Sequence, residues 1–161
     1  MTSQVLRDQS VGVQAFGALL GAHMSATKQL NAQLVVDHGL TISDYGVLLK
    51  LAWAPNRRLR RVDLAEAMSL SASGITRLLD GLERSGYVER AQCDEDRRVV
   101  YAVLTDEGLD KLREASVSHV DQVESLFGSR FDEDELEALI GLLGKFSGVR
   151  DADCAPPGVS H

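Results

Sequence analysis

The sequence predicts a mainly α-helical fold with a small β-wing: a helix–turn–helix, then a charged hairpin, with long helices at both ends of the chain. Three observations predict it. Residues 64–82 carry two apolar helical faces separated only by Ser69-Leu70-Ser71, too short a connection for anything but two helices crossing steeply. Residues 87–104 hold two β-branched and aromatic runs around a charged centre. Residues 11–37 and 105–146 repeat apolar positions at helical spacing.

In chain order, Phe16, Leu19, Leu20, His23, Met24, Leu30 and Leu34 mark one amphipathic helix over 11–37, closed by Gly39. Thr41-Ile42-Ser43-Asp44 starts a second helix with Tyr45, Val47, Leu48 and Leu51 facing inward, and Ala54-Pro55-Asn56 reads as a turn. Arg57, Arg58, Arg60 and Arg61 then form a tight basic cluster suited to a first short wing strand and to phosphate contacts; a solvated loop fits the same residues. Leu64, Ala65 and Met68 form the inner face of the first short helix. Asp63, one residue before it, stands at capping-box spacing from Glu66. Ser71 is placed as N-cap of a helix over Ala72–Ser85 whose inner face is Ile75, Leu78, Leu79 and Leu82. Gly86 ends that helix as a left-handed cap. Tyr87–Arg90 and Val99–Leu104 read as antiparallel strands. Thr105 caps a helix with Asp106 and Glu107 in its first turn, where the helix dipole favours acids. That helix carries Leu109, Leu112, Val117, Val120, Val123 and Phe127 and runs to about Gly128. Asp132–Phe146 is the last, apolar at Leu136, Leu139, Ile140, Leu143 and Phe146. From Ser147 onward, Gly148, Pro156, Pro157 and Gly158 describe a tail without its own core.

The second helix of the pair turns Ser73, Thr76 and Arg77 outward, with Gly74 letting another backbone come close. Short hydrogen-bonding side chains and one Arg on an exposed helix are what a DNA major groove accepts. The hairpin connection from Ala91 to Arg98 is nearly all charged, with Asp94, Glu95, Asp96, Arg97 and Arg98. A guanidinium there can enter the narrow, electronegative minor groove. Either surface alone would read as merely solvated; following one another directly, they favour DNA contact. Asp80 sits awkwardly near phosphates and is expected to pair with Arg77 or Arg84 at helical spacing.

On these residues the chain resembles the MarR (multiple antibiotic resistance regulator) family of transcription factors. The resemblance is carried by Leu64-Ala65-Glu66, SASGITRLLDGL from Ser71 to Leu82, ERSGYVER from Glu83 to Arg90, Asp96-Arg97-Arg98 and Leu104-Thr105-Asp106-Glu107-Gly108. Leu40 to Tyr45 also fits the family's usual start of its second helix, and about residues 10–149 are covered. The resemblance implies a winged helix-turn-helix flanked by N- and C-terminal dimerisation helices. The parts would be a dimerisation helix over 1–40, a DNA-binding lobe over 41–104, dimerisation helices over 105–149 and a flexible tail over 150–161. It further implies a homodimer on a near-palindromic double-stranded operator, acting as a repressor of its own or a neighbouring operon. Arg98 would reach the minor groove, oriented by Asp96. The family habit of binding small aromatic or anionic effectors between the dimer helices and the DNA-binding lobe points to His23, Met24, Tyr45 and Trp53, and less directly to His38. Each of those is equally readable as an ordinary core or surface residue. The DNA-contacting set is then Ser71, Ser73, Gly74, Thr76, Arg77, Asp96, Arg97 and Arg98, with Arg57, Arg58 and Arg60.

The formal net charge of −7 does not oppose a polyanion partner. Between Pro55 and Tyr101 nine Arg face eight acids, a local net of +1, while the remainder of the chain carries −8. Residues 9–27 lack charged side chains but are too polar to span lipid, and no targeting segment is evident, so the chain reads as cytoplasmic. Cys93 and Cys154 give neither a disulfide framework nor a metal cluster, and residues 1–22 lack the Cys through which some family members sense oxidants. Four acids near Cys93 disfavour its thiolate. No cofactor or metal is expected. An enzymatic reading could use Asp94, Glu95 and Asp96, but adjacent residues on a solvated hairpin tip diverge and stay untuned. A winged helix used only for protein contact is the other alternative.

Overall fold

The structure, a computed structural model, describes residues 10–92 and 98–146. Its elements are α1 (Val11–His38), α2 (Ile42–Trp53), a 3-10 turn (Pro55–Arg57), β1 (Arg58–Arg60), α3 (Arg61–Ala67), α4 (Ala72–Arg84), β2 (Val88–Gln92), β3 (Val100–Leu104), α5 (Asp106–Gly128) and α6 (Glu133–Leu143). The mainly helical fold with a small antiparallel wing is as the sequence predicts. The basic cluster supplies its first strand: the sheet order is β1-β3-β2, with Arg58 opposite Val103 and Arg60 opposite Tyr101.

Local chemistry explains where the elements start and stop. Gly39 takes φ +67°, and its N–H and that of Leu40 close the end of α1. Thr41 and Asp44 form a reciprocal capping box that starts α2. Ser71 Oγ accepts the Gly74 N–H at 3.1 Å to start α4, and Gly86 at φ +78° follows its end. The expected capping box of Asp63 and Glu66 does not form. The chain enters α3 directly from β1, so Arg60 stands at the N-cap and Asp63 lies inside the first turn, paired with Arg60. Within the chain itself no second backbone approaches Gly74. The space beside it is filled by Ser71 Oγ and the side chain of Leu70.

α2 is the centre of the core. Val47, Leu48 and Leu51 are fully buried, and the helix touches α1, α3, α4, α5, β1 and β3. Leu64, Ile75, Leu79, Leu82, Val88, Ala102, Leu104, Leu109 and Leu112 belong to the same cluster, which Leu34, Leu40, Tyr45, Ala65 and Ala115 complete. In contrast, residues 11–25 are exposed throughout, about 22 Å of helix at 1.5 Å per residue. Phe16 is 66 % exposed, Met24 63 % and Phe146 85 %, and α6 has no buried residue. Val117, expected on the inner face of α5, is also exposed.

One joint fixes α5 to the end of the helix–turn–helix. The Thr105 N–H donates to the Tyr87 carbonyl at 3.1 Å, its hydroxyl donates to the Gly86 carbonyl at 2.7 Å, and the same oxygen accepts the Gly108 N–H at 2.9 Å. Gly108 lies so close to Tyr87 that a Cβ would stand 2.1 Å from its carbonyl oxygen. A second joint holds α1 and α2 against the middle of α5. His38 Nε2 lies 2.6 Å from Ser118 Oγ, the Tyr45 hydroxyl 3.1 Å from Ser116 Oγ, and the Tyr45 and His119 rings are 4.6 Å apart. Burial lowers the His119 pKa and raises that of Tyr45, the latter partly offset by its bond to Ser116.

Replacing Gly108 with Ala should destabilise the chain at or beyond the upper end of the ~1–3 kcal/mol seen for overpacking, because the clash is with backbone. Urea denaturation checks this, and an unchanged midpoint would contradict the packing. His119 gives a pH dependence of definite sign. Its folded pKa lies below the ~6.5 of an unfolded histidine, so the unfolded chain binds more protons on the acid side. Its contribution is complete above ~6.5 and is lost as pH falls toward the folded value. The denaturation midpoint should therefore drop less on acidification in His119→Gln than in the wild type, with its ring partner Tyr45 retained.

Candidate nucleic-acid interface

The two faces of α4 divide cleanly. Ile75, Leu79 and Leu82 are buried, while Ser73 and Arg77 are exposed and Thr76 is half-buried beside them. Positions 73, 76, 77 and 80 repeat at one helical turn, so they form one outward strip. Side chains on it differ in what they have left to offer. Ser71 Oγ is occupied as the cap and also meets Ser73 Oγ at 3.2 Å. The Thr76 hydroxyl donates to the Ala72 carbonyl at 2.7 Å, leaving its lone pairs and methyl group outward. Arg77 forms no ion pair among the described residues, and its five N–H donors remain for another partner.

Asp80 does not pair along the helix with Arg77 or Arg84. It pairs with Arg90 of β2, which also holds Glu83 at 2.9 Å. Two acids are thereby drawn from the outward strip toward the sheet, and α4 is tied to the wing strand. Each such exposed pair is worth ~1 kcal/mol at most, so positioning is its larger effect.

The basic cluster borders the same region. Arg57, held at φ +53°, sends Nη1 to Asp106 Oδ1 at 2.7 Å. The guanidinium of Arg58 lies 5.0 Å from the centre of the Tyr101 ring. Arg60 grips Asp63 with both Nε (2.6 Å) and Nη2 (2.7 Å), and that carboxylate raises the Arg60 pKa further. Arg58 and Arg60 share the outer face of β1, because Leu59 between them turns inward. All three arginines are exposed or half-exposed, so these pairs can be exchanged for phosphate contacts at small cost. Arg98 is exposed at the return limb of the hairpin. Asp96 and Arg97 lie outside the described residues, as do Cys93, Asp94, Glu95 and the tail.

The residues expected to line an effector crevice are not gathered around one cavity in the single chain. Tyr45 and His38 meet α5 at Ser116–His119. His23 and Met24 are exposed on α1, next to the stretch where Ala22, Ser25 and Ala26 face Leu126, Phe127 and Phe131 around a cavity of about 190 Å3. That is at least seven residues farther along α5 than His119, about 10 Å. Trp53, at the far end of α2, is half-buried under the Lys50 ammonium, 5.6 Å from the ring centre. His119 was not singled out for this region. Its partner Tyr45 lies 74 positions away in the chain, a distance no local pattern spans. Among the described residues no group of His, Cys, Asp or Glu could hold a metal ion, and no helix is long and apolar enough to cross a membrane.

Comparison with known proteins places this geometry. A model of the MarR family matches residues 40–100, from the α1–α2 joint to the first residue of β3. Over 106 residues the chain is 32% identical to the HTH-type transcriptional repressor YetL of Bacillus subtilis, spanning 66% of this chain and 63% of YetL. Among solved structures, AbsC, a MarR family transcriptional regulator from Streptomyces coelicolor, superposes with a TM-score of 0.76 at 31% identity. That match covers 87% of this chain and 95% of AbsC. Sco3205, a MarR family regulator from the same organism solved in complex with DNA, gives 0.78 at 30% identity, covering 94% of this chain and 96% of that one. With a family model over its helix–turn–helix and wing, and relatives of at least 30% identity that share the fold over most of its length, the chain belongs to the MarR family of transcriptional regulators.

Proposed function

We propose that the chain is a homodimeric, sequence-specific DNA-binding regulator that represses its own or a neighbouring operon. The observation that carries this reading is the outward strip of α4, Ser73, Thr76 and Arg77, beside a sheet edged with arginines. α4 enters the major groove, with Arg77 and Thr76 at base edges and Ser71, Ser73 and Gly74 at the helix start close to the backbone. Arg98, oriented by Asp96 and beside Arg97, reaches the adjacent minor groove. Arg57, Arg58 and Arg60 meet phosphates. The exposed apolar positions of α1 and α6, among them Phe16, Leu20, Ile140 and Phe146, support a second copy as the covering partner. A ~22 Å stretch of helix so exposed would otherwise be marginal.

A two-fold dimer presents two copies of α4 to half-sites about one helical turn apart, ~34–36 Å, on a near-palindrome. A small aromatic or anionic effector releases DNA in this reading by binding one spacing of the two lobes better than the other. His23, Met24, Tyr45 and Trp53 are its candidate contacts, approached from both protomers.

Fluorescence anisotropy on a selected palindromic duplex tests the reading. The logarithm of affinity should fall linearly with the logarithm of salt concentration, with a slope of about −0.9 per phosphate neutralised. Arg98→Ala should weaken binding to specific and unrelated DNA alike, because the minor-groove code is degenerate. Arg77→Ala should instead cost ~1–3 kcal/mol chiefly on the specific site, relaxing base preference. Salt-independent binding, or a chain that sediments as a monomer at concentrations saturating the duplex, contradicts the proposal. Wild-type affinity in both Arg variants would favour a winged helix used for protein contact.

A further inference from the structure

α4 carries two acids on the face where a DNA-reading helix has least use for them. Asp80 follows Thr76 and Arg77 by one helical turn, ~5.4 Å along the axis, and lies between them in angular position. Glu83 follows Asp80 at i+3, on the Thr76 side of the strip. Neither is buried: the Asp80 side chain is 48 % exposed and that of Glu83 40 %. A duplex presents one negative charge per ~1.7 Å of its axis, so a carboxylate loose on this face would meet phosphate repulsion as the helix docks.

Arg90 takes both acids away from that position. It stands on β2 opposite Ala102, two residues after the buried Val88 and so on the same face of the strand. Its Nη2 donates to Asp80 Oδ1, and its Nε lies 2.9 Å from Glu83 Oε2. One rigid guanidinium fork therefore sets where two carboxylates lie. Asp80 has Arg77 at i−3 and Arg84 at i+4, and it pairs with neither. The donors of Arg77 are thereby left for the groove. In the free chain such part-exposed pairs add little stability, so their effect is one of position.

We propose that Arg90 is a positioning residue for DNA recognition, which acts by holding Asp80 and Glu83 back from the groove and makes no contact with DNA itself. This role rests on the DNA-binding reading above. Without Arg90 the two carboxylates turn outward, beside Thr76 and Arg77, and repel the phosphates that those side chains approach. With it, α4 carries acids on its reading face and still docks. Arg90 thereby differs in kind from the arginines of β1 and the hairpin, whose charge is offered to the duplex directly.

A mutant cycle on the full chain tests this, read by anisotropy on the selected duplex at a temperature below the melting of every variant. Its members are Arg90→Gln, the acid-neutral pair Asp80→Asn with Glu83→Gln, and the triple variant. Arg90→Gln should weaken binding about tenfold in the otherwise native chain. Where both acids are already amides, the same change should cost no more than about twofold, a coupling that a general loss of stability would not produce. The tenfold deficit should shrink with added salt, as the screening length falls from ~10 Å at ~0.1 M. Asp80→Asn alone should bind at least as tightly as the wild type, because Glu83 still holds Arg90. Equal losses in the two backgrounds would make Arg90 an ordinary phosphate contact and overturn the proposal. Asp80→Asn binding as weakly as Arg90→Gln would make the pair a mechanical tie between α4 and the wing, which also overturns it. An altered base preference in Asp80→Asn would make Asp80 a base-reading residue, with the same consequence. A wild type that binds no duplex refutes the DNA-binding reading and this role with it; a wild type that binds, with any of the three contrary outcomes, refutes the role alone.

Discussion

The contact of Gly108 with the Tyr87 carbonyl is the constraint on which the rest of this molecule depends. It is the point at which α5 is joined to the end of α4 and the start of β2. With it, the end of the helix–turn–helix and the start of the long helix share one hydrogen-bonded corner. Thr105 uses its N–H, its hydroxyl proton and its hydroxyl lone pair within that corner, so only a residue with a short hydroxyl side chain, Thr or Ser, does all three. The Leu-Thr-x-x-Gly pattern read in the sequence therefore has a mechanical meaning. Leu104 is buried beneath the corner, Thr105 ties it, and Gly108 allows the approach. α5 is thus bonded to the end of α4 through this corner and to α1 and α2 through the joint of His38, Tyr45, Ser116, Ser118 and His119.

The electrostatic arrangement is local. A chain of net charge −7 gathers nine of its arginines between Pro55 and Tyr101, and several of them are already engaged. Arg57 holds Asp106, Arg58 covers Tyr101, Arg60 holds Asp63, and Arg90 gathers Asp80 and Glu83. These partners are exposed and weakly binding, which orients each guanidinium without committing it. Arg77, on the outward strip of α4, has no such partner among the described residues, which is what the proposed contact with bases requires.

Much of this was legible in the sequence because it is local. Thr41, Ser71 and Thr105 cap their helices through contacts three residues away, and Gly39 and Gly86 take the left-handed conformations their positions imply. The misreadings have two causes, a strand that runs straight into a helix and tertiary neighbours that spacing does not reveal. Asp63 has capping spacing to Glu66, but the entry of β1 into α3 puts Arg60 within reach first. Asp80 has Arg77 and Arg84 at helical distance, yet the sheet delivers Arg90 from another element. His38 and Ser118 are 80 positions apart, and Tyr45 and His119 nearly as far, so their joint leaves no periodic signature. The apolar repeats of α1 and α6 were visible as repeats, but period alone does not say whether a face meets its own chain or another. In the single chain most of those side chains are exposed.

The account's central claim is that two copies of α4, each set by its Thr105–Gly108 corner, read DNA as a two-fold pair. Hydroxyl-radical footprinting of the full chain on its selected duplex tests this most directly. The account predicts two protected patches on the same face of the helix, centred ~10–10.5 base pairs apart, each flanked by protection across the neighbouring minor groove. A single patch, or uniform protection that ignores sequence, would contradict it.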